Sequence, residues 1–328
     1  MSRDRLMALL VRHMTLIVFL LIFFYFGVQA PQFFGLDSIA NVIKQASFTG
    51  IIAVGMTFVL LSAGIDLSVG SNMYLSAMAA GYLLQIPSLQ NGPGVVLALA
   101  AGLITGLVFG AINGFCVVFL RITPFLVTLA TLVAGRGLGT AITESFGIEY
   151  PPSYLAFGSS SLLGVPMPIV VFAVVVAAAH IVLAWTQFGR QIYAVGNDAE
   201  AARKAGINVN GVLFSAYLIC GGCAALGGVT LIALVGRLNQ TFGVGREFDV
   251  ITAAVLGGTS LFGGVGIAFG AVIGSTLVQM VQSGMIFIKT NLYLQPMVLA
   301  AIIFLAVLGD ALRARRVKTL LRRMLRHD

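Results

Sequence analysis

Few side chains in this sequence have the types and spacing that catalysis or metal binding requires. Cys220-Gly-Gly-Cys223 has the spacing of a redox or metal motif, but neither a histidine nor an acid lies nearby in the sequence. We therefore expect both thiols to be small packing residues. The chain contains no GxxxxGKS/T, HExxH, GxSxG or complete GxGxxG motif, and His13, His180 and His327 are widely separated. The sequence predicts no catalytic residue, no metal site and no cofactor.

The composition indicates that lipid surrounds most of the chain. Of the 328 residues, 59% are hydrophobic and 9% are charged, whereas soluble domains carry roughly 25% charged residues. The apolar residues form blocks of about 20, which match a hydrocarbon core about 30 Å thick. Runs such as 170–183 do not alternate in polarity, which favours helices over a transmembrane barrel. We predict an all-α polytopic membrane protein with a single transmembrane domain, 1–328.

About ten apolar blocks are candidate transmembrane helices. They are 14–28, 41–62, 68–84, 94–120, 125–142, 168–185, 212–235, 250–261, 266–286 and 294–308. The eighth block is short, because a dozen residues rise only about 18 Å at 1.5 Å each. It fits either a short or broken crossing or a re-entrant helix that turns back.

The basic residues favour ten crossings with both termini in the cytoplasm. Under that topology most Lys and Arg are cytoplasmic, including Arg3, Arg5, Arg12, Arg121 and a basic tail within 311–328. Removal of the eighth crossing would place the tail outside, against the positive-inside bias. Orientation thus explains the net charge of +8, and the sequence gives no reason to expect nucleic acid binding.

Glycines recur at every fourth position in two of the blocks. They are Gly102, Gly106, Gly110 and Gly114 in the fourth block, and Gly266, Gly270 and Gly274 in the ninth. Such stripes let helix backbones approach closely. The pattern fits ordinary packing within the bundle, which we favour, or a sliding or dimer interface.

The polar segment 188–210 has the signature of a short capped helix. Asn197 can cap its N-terminus, Glu200 lies at the third position of a capping box, and Gly206 suits a left-handed stop. Glu200 and Lys204 can pair four residues apart. The segment also contains Gly196, Ala201, Ala202, Arg203 and Ala205, the three alanines forming a small face. We predict either a docking element for a cytoplasmic partner or a solvated connector.

Four segments resemble a known family. They are GIIAVGMTFVLLSAGIDLSVGS at 50–71, RITPFLVTLATLVAGRG at 121–137, FGRQIYAVGNDAEAARKAGINV at 188–209 and EFDVITAAVLGGTSLFGGVG at 247–266. In the same order, they resemble segments of the ribose-, xylose- and galactofuranose-type permeases of bacterial ABC importers. The resemblance implies a second permease subunit, cytoplasmic ATPase subunits and a periplasmic sugar-binding protein. It also implies that 197–207 is the coupling helix that binds the ATPase.

The break between the second and third blocks has two interpretations. Gly64 and Gly70 interrupt the apolar run, and Asp66 or Ser68 can cap the helix that follows. Alternatively the break lines the solute path, because unwound backbone at membrane depth is tolerated where it borders a cavity. Asn72, one turn further on, would then face the same way.

Two arginines are candidates for docking the binding protein. Arg237 and Arg246 lie on the predicted periplasmic side, where basic residues are scarce. Each can present a planar fork to carboxylates on the partner. The alternative is local pairing of Arg246 with Glu247 or Asp249.

The intramembrane charges bear on the energy source. They are chiefly Lys44 and Arg136, whereas ion-driven carriers often contain intramembrane acids. The sequence therefore favours a permease subunit driven by partner ATPases over an autonomous secondary transporter or channel. Identical and mixed permease pairs both fit the sequence.

Overall fold

A computed structural model describes residues 14–305 and 307–308, which fold into a helical bundle with two short β-ladders. The α-helices are α1 Met14–Gln29, α2 Leu36–Leu61, α3 Val69–Leu84, α4 Pro93–Val118, α5 Pro124–Thr143, α6 Pro152–Ser159, α7 Met167–Trp185, α8 Gln187–Asn197, α9 Ala199–Lys204, α10 Val209–Val235, α11 Arg246–Leu256, α12 Gly270–Phe287 and α13 Gln295–Leu305. Short 3-10 helices cover Pro31–Phe34, Pro87–Leu89 and Leu292–Leu294. The strands are β1 Ile148–Glu149, β2 Ser161–Leu162, β3 Val165–Pro166 and β4 Arg237–Leu238.

Six of the described helices are long and apolar enough to cross a membrane: α2, α4, α5, α7, α10 and α12. This finding confirms the predicted all-α membrane protein. Shorter apolar helices cover Ile17–Gln29 and Gln295–Leu305. Arg3, Arg5, Arg12 and the basic tail 311–328 lie outside the described residues.

Proline and glycine set several helix ends. Pro93 and Pro124 begin α4 and α5, where a missing N–H removes no helical hydrogen bond. At the other end of α10, Gly236 takes a φ of 80°, a left-handed conformation that suits a helix stop. Because such helix ends can be recognised in the sequence, most of the observed helices begin and end within a few residues of the predicted blocks.

The centre of the bundle includes α2, α10 and α12, the last with 67% of its apolar window buried. The apolar window of α2 is 83% buried and that of α10 is 61% buried, whereas the values for α4, α5 and α7 are 22%, 22% and 28%. Most apolar side chains of the last three helices are therefore exposed on the outside of the bundle. The central helices instead pack on other parts of the chain.

The glycine stripe of α4 packs within the chain, as favoured from the sequence. A Cβ atom added to Gly106 would lie 2.7 Å from the carbonyl oxygen of Gly221 on α10. In the other stripe, Gly270 and Gly274 lie against the backbone of α11, but Gly266 precedes α12. Both sets of close contacts serve helix packing inside one subunit.

Two buried tyrosines anchor the segment between α5 and α7. The Tyr150 hydroxyl donates to the Ala77 carbonyl at 2.5 Å, and that of Tyr154 donates to the Val229 carbonyl at 2.9 Å. Burial raises the pKa of both phenols above the ordinary value, so both remain protonated donors at neutral pH. Next to them, β1 pairs antiparallel with β4. The segment is thereby fixed to α3 and α10.

The eighth block differs from its prediction of 250–261. Helix α11 begins at Arg246 and ends at Leu256, and the backbone from 257 to 269 is not helical. That segment extends to the C-terminal end of α2, where the Gly264 N–H donates to the Leu61 carbonyl at 2.9 Å. Gly258, Gly263 and Gly264 take positive φ values, which explains why the glycine-rich sequence leaves the helical path.

Candidate functional site

The break between α2 and α3 is built around a buried carboxyl group. Asp66 is 1% exposed, and its Oδ1 accepts hydrogen bonds from the backbone N–H of Ser68 at 2.9 Å and from the Ser68 hydroxyl at 2.6 Å. Ser68 is the N-cap residue of α3, but its side chain makes no capping bond. Of the two predicted caps, Asp66 is therefore the residue that fixes the turn.

Further polar side chains extend this network to two neighbouring helices. The Asn113 amide on α4 donates to the Ser68 hydroxyl at 2.7 Å, and the Thr131 hydroxyl on α5 donates to Asn113 Oδ1 at 2.8 Å. Asn113 is fully buried. The sequence analysis did not identify Asn113 or Thr131, although polar residues within apolar blocks were a usable signal.

The backbone of the break lines a cavity, whereas the predicted side chains lie behind it. Ser62, Ala63 and Gly64 border a cavity of about 340 Å³, together with Arg121 and Tyr217. This arrangement combines the two interpretations of the break. The buried Asp66 network described above holds the turn, and the unwound backbone faces open space.

Asn72 does not share that cavity. It is 2% exposed, and its amide donates to the carbonyls of Gly106 at 3.2 Å and Gly221 at 3.3 Å. The Ser76 hydroxyl donates to its Oδ1 at 3.0 Å. Asn72 therefore joins α3 to the α4–α10 crossing, and the expectation that it faces the same way as the break is wrong.

A buried acid and a basic side chain approach each other at the start of α11. Glu247 is 8% exposed and lies near Arg136 of α5, whose guanidinium lies 5.5 Å from the Tyr74 ring centroid. Arg136 Nη1 donates to the carbonyls of Phe242 and Gln240. Sequence reasoning missed this arrangement, because it considered Glu247 only as a local partner of Arg246, whereas both Asp66 and Glu247 are buried acids.

The capped helix of segment 188–210 is present as α9, with a different cap. Asp198, and not Asn197, is its N-cap: Asp198 Oδ1 accepts from the N–H groups of Glu200 at 2.9 Å and Ala201 at 3.0 Å. The Asn197 amide donates instead to the Tyr193 carbonyl. The predicted left-handed stop at Gly206 is confirmed by a φ of 82°. The Glu200–Lys204 ion pair is confirmed at 2.9 Å.

The outward face of this loop differs from the predicted one. Ala202 is buried against the bundle, whereas Ala201, Arg203 and Ala205 are exposed. Gly196 is also buried, and a Cβ atom there would overlap the Leu61 carbonyl and lie 2.7 Å from the Gly264 nitrogen. Gly196 and Ala202 therefore fix the loop to the protein and are not available to a partner.

Arg237 and Arg246 have different surroundings. Arg237 is exposed on β4, directly opposite Glu149 of β1. Arg246 forms an ion pair with Asp249 at 3.3 Å, which is the local alternative considered for it. Of the two, Arg237 is the more accessible to a partner.

Taken together, long apolar helices, a broken helix beside a cavity and a rigid polar loop define a multi-pass membrane permease. The family described as branched-chain amino acid transport system / permease component matches residues 38–307. Because this match covers most of the chain, the protein belongs to that family and is a multi-pass inner-membrane permease.

Curated relatives match nearly the whole chain. The ribose import permease protein RbsC of Escherichia coli (strain K12) is 36% identical over 308 residues, which cover 92% of this chain and 94% of that protein. The D-allose transport system permease protein AlsC of the same strain is 32% identical, with 91% of each chain covered. Its galactose/methyl galactoside import permease protein MglC is 31% identical, with 93% of this chain and 95% of that protein covered. No solved structure matches the chain.

Proposed function

We propose that this permease is the membrane subunit of an ATP-driven ABC importer for a monosaccharide or similar sugar. The observation that carries the proposal is the similarity to three permeases named for ribose, D-allose and galactose over more than nine-tenths of the chain. A periplasmic sugar-binding protein delivers the solute, and cytoplasmic ATPase subunits supply the energy. A second permease subunit, identical or different, completes the path.

The proposal includes ten membrane crossings, some short or broken, and two cytoplasmic termini. The eighth crossing consists of α11 followed by the non-helical segment 257–269. In support, this segment starts beside α12 and extends to the ends of α2 and α8. Non-helical backbone is tolerated at membrane depth where protein surrounds it. The α8–α9 loop then lies in the cytoplasm.

We assign ATPase docking to the exposed part of this loop. Asn197, Glu200, Ala201, Arg203 and Gly206 are exposed on it. The Asp198 cap, the Gly206 stop and the buried Ala202 hold these groups in one orientation. A rigid, charged and small-residue surface suits binding to a groove that moves during ATP hydrolysis.

Arg237 is assigned to docking of the binding protein. Its guanidinium is exposed on the opposite side of the membrane from α9 in the proposed topology. Arg246 contributes less, because its guanidinium already forms an ion pair with Asp249. Glu149 beside Arg237 would give the docking surface both signs of charge.

For the solute path, we propose that the cavity beside Ser62, Ala63 and Gly64 is its cytoplasmic part. Asp66 and Ser68 hold the break open from behind, and Asn72 fixes α3 against α4 and α10. The three predicted residues thus shape the path without lining this cavity.

Transport by proteoliposomes tests the proposal. Vesicles would contain the permease with its cognate ATPase subunits, and the binding protein would be added outside with tritiated D-ribose, D-allose or D-galactose. We expect uptake of at least one sugar that requires internal ATP, and no ATP hydrolysis by the permease alone. Uptake that persists with an ATPase variant unable to hydrolyse ATP would contradict the proposal.

A secondary transporter is the competing function, and the buried acids Asp66 and Glu247 are the observation that favours it. It predicts uptake by vesicles that contain the permease alone, driven by a proton or sodium gradient. The same preparation measured with a gradient and without ATP therefore separates the two functions.

A further inference from the structure

Two charged side chains of opposite sign approach each other inside the bundle and leave polar atoms unpaired. Among the described residues, neither Arg136 Nη2 nor Glu247 Oε2 has a hydrogen-bond partner, and both atoms are buried. Glu247 as a residue is 8% exposed. An unsatisfied buried polar group is costly, and more so when it is charged. These two atoms are therefore positioned for a group that the protein itself does not supply.

The distance between the two atoms suits one bridging oxygen. A Cβ atom added to Gly70 of α3 would lie 2.5 Å from Glu247 Oε2 and 3.4 Å from Arg136 Nη2. The two atoms are thus too far apart for a hydrogen bond but no more than about 6 Å apart. Two hydrogen bonds of about 2.8 Å each span such a gap.

The surroundings hold Arg136 in place. Its Nη1 donates to the Phe242 and Gln240 carbonyls, and its plane is stabilised by the Tyr74 ring. Nη2 therefore points in a fixed direction. Gly70 and Gly243 place no side chain between the two charged groups, but their backbones approach closely, since a Cβ atom added to Gly70 would overlap the Gly243 carbonyl oxygen. Only a small group such as a single hydroxyl can therefore enter, and Gly243 takes a φ of 76° that favours glycine.

The chemistry of the two atoms selects the bound group. Nη2 can only donate and a carboxylate oxygen can only accept, whereas a hydroxyl group does both. Their charges cancel, so an anion would be repelled by Glu247 and a cation by Arg136. An amino acid zwitterion would need its carboxylate and ammonium groups between them, which takes more room than one oxygen. A neutral polyhydroxyl compound fits best.

We propose that Gly70, Arg136 and Glu247 form a binding site for one hydroxyl group of a neutral sugar inside the membrane domain. The site rests on the proposed function and deepens it, because it identifies side chains that hold the solute during passage. It shares no residue with the lining of the cavity beside Ser62, and none of its three residues was predicted from the sequence to bind the solute.

Saturation-transfer NMR on the purified permease in lipid nanodiscs tests the site, since this method detects weak binding. The probes are D-ribose and L-valine. We expect saturation transfer to D-ribose in preference to L-valine, and about a tenfold weaker D-ribose affinity in Glu247→Gln, because a charge-assisted hydrogen bond becomes a neutral one. Asp249→Asn is the matched control, since that carboxylate already has Arg246 and Gln282 as partners. It should bind D-ribose like the wild type.

Thermal unfolding of the same variants separates a solute site from a structural ion pair. Glu247→Gln leaves the buried Arg136 charge without its opposite charge, so we expect a lower melting temperature together with weaker D-ribose binding. A lower melting temperature with unchanged D-ribose binding would overturn the proposal. Preference for L-valine, or absence of saturation transfer to D-ribose, would also overturn it. ATP-driven uptake is measured separately. If uptake depends on ATP but Glu247→Gln binds D-ribose like the wild type, the binding site is refuted and the importer function is not.

Discussion

Replacement of Ser68 by alanine tests whether the buried polar network stabilises the bundle. The Ser68 hydroxyl donates to Asp66 at 2.6 Å and accepts from Asn113 at 2.7 Å, so alanine removes both bonds and leaves two buried groups short of a partner. A hydrogen bond contributes about 0.5–1.5 kcal/mol, and a buried polar group that loses a partner adds a desolvation cost of about 1–3 kcal/mol. We expect Ser68→Ala to lower the free energy of unfolding by about 2–4 kcal/mol. An isolated bond between membrane helices would contribute only about 0.6 kcal/mol.

Unfolding by SDS in mixed micelles, followed by circular dichroism, measures this loss. A double-mutant cycle with Asn113→Ala should give a coupling energy of about 1 kcal/mol or more, because the two residues share one network. Thr105→Ala is the control, since its hydroxyl donates to the Ala101 carbonyl within α4. The network argument fails if Ser68→Ala is no more destabilising than Thr105→Ala.

Three other predictions concern the loops. Tyr154→Phe removes the buried hydrogen bond that the hydroxyl adds to the Val229 carbonyl, whose other donor is the helical N–H of Ala233, and should lower the free energy of unfolding by about 1 kcal/mol in the same SDS assay. Asp198→Ala removes the α9 cap, worth about 1 kcal/mol, and should reduce ATP-coupled uptake; uptake equal to that of the wild type would contradict this. Gly196→Ala should uncouple ATP hydrolysis from uptake while the ATPase subunits still copurify, because its methyl group overlaps the Leu61 carbonyl; normal uptake would contradict this.

Helix positions followed from the sequence because length and apolarity determine which segments cross a bilayer. The partners of the side chains at the start of α11 could not be predicted from the sequence. Arg246 was considered next to Glu247 or Asp249, and only the position of the helix start decides between them. In a helix, residues three apart share a face, whereas adjacent residues point about 100° apart. Arg246 therefore meets Asp249, and Glu247 turns toward Arg136 on another helix.

Asn72 and Asp198 are two further residues whose hydrogen-bond partners could not be predicted from the sequence. For Asp198 the choice is local, and for Asn72 it depends on contacts with distant helices. Local pattern predicted a capped α9, but two neighbouring residues, Asn197 and Asp198, can both act as caps, and the Tyr193 carbonyl already engages Asn197. Asn72 depends on tertiary contacts, since its amide bonds to carbonyls 34 and 149 residues away in sequence. A periodicity argument contains no information about those partners.

The contacts of Leu61 link the proposed docking loop to the proposed solute path. Its carbonyl accepts from the Gly264 N–H and lies against Gly196, and the next residue, Ser62, is the first of the break that borders the cavity. Because no side chain separates these backbones, a displacement of the loop by the ATPase cannot be absorbed by side-chain rotation. The force must move the end of α2 or the 257–269 segment. If the loop docks the ATPase as proposed, we expect coupling to the cavity to depend on glycine at this contact as well as on the fit of α9 to the ATPase.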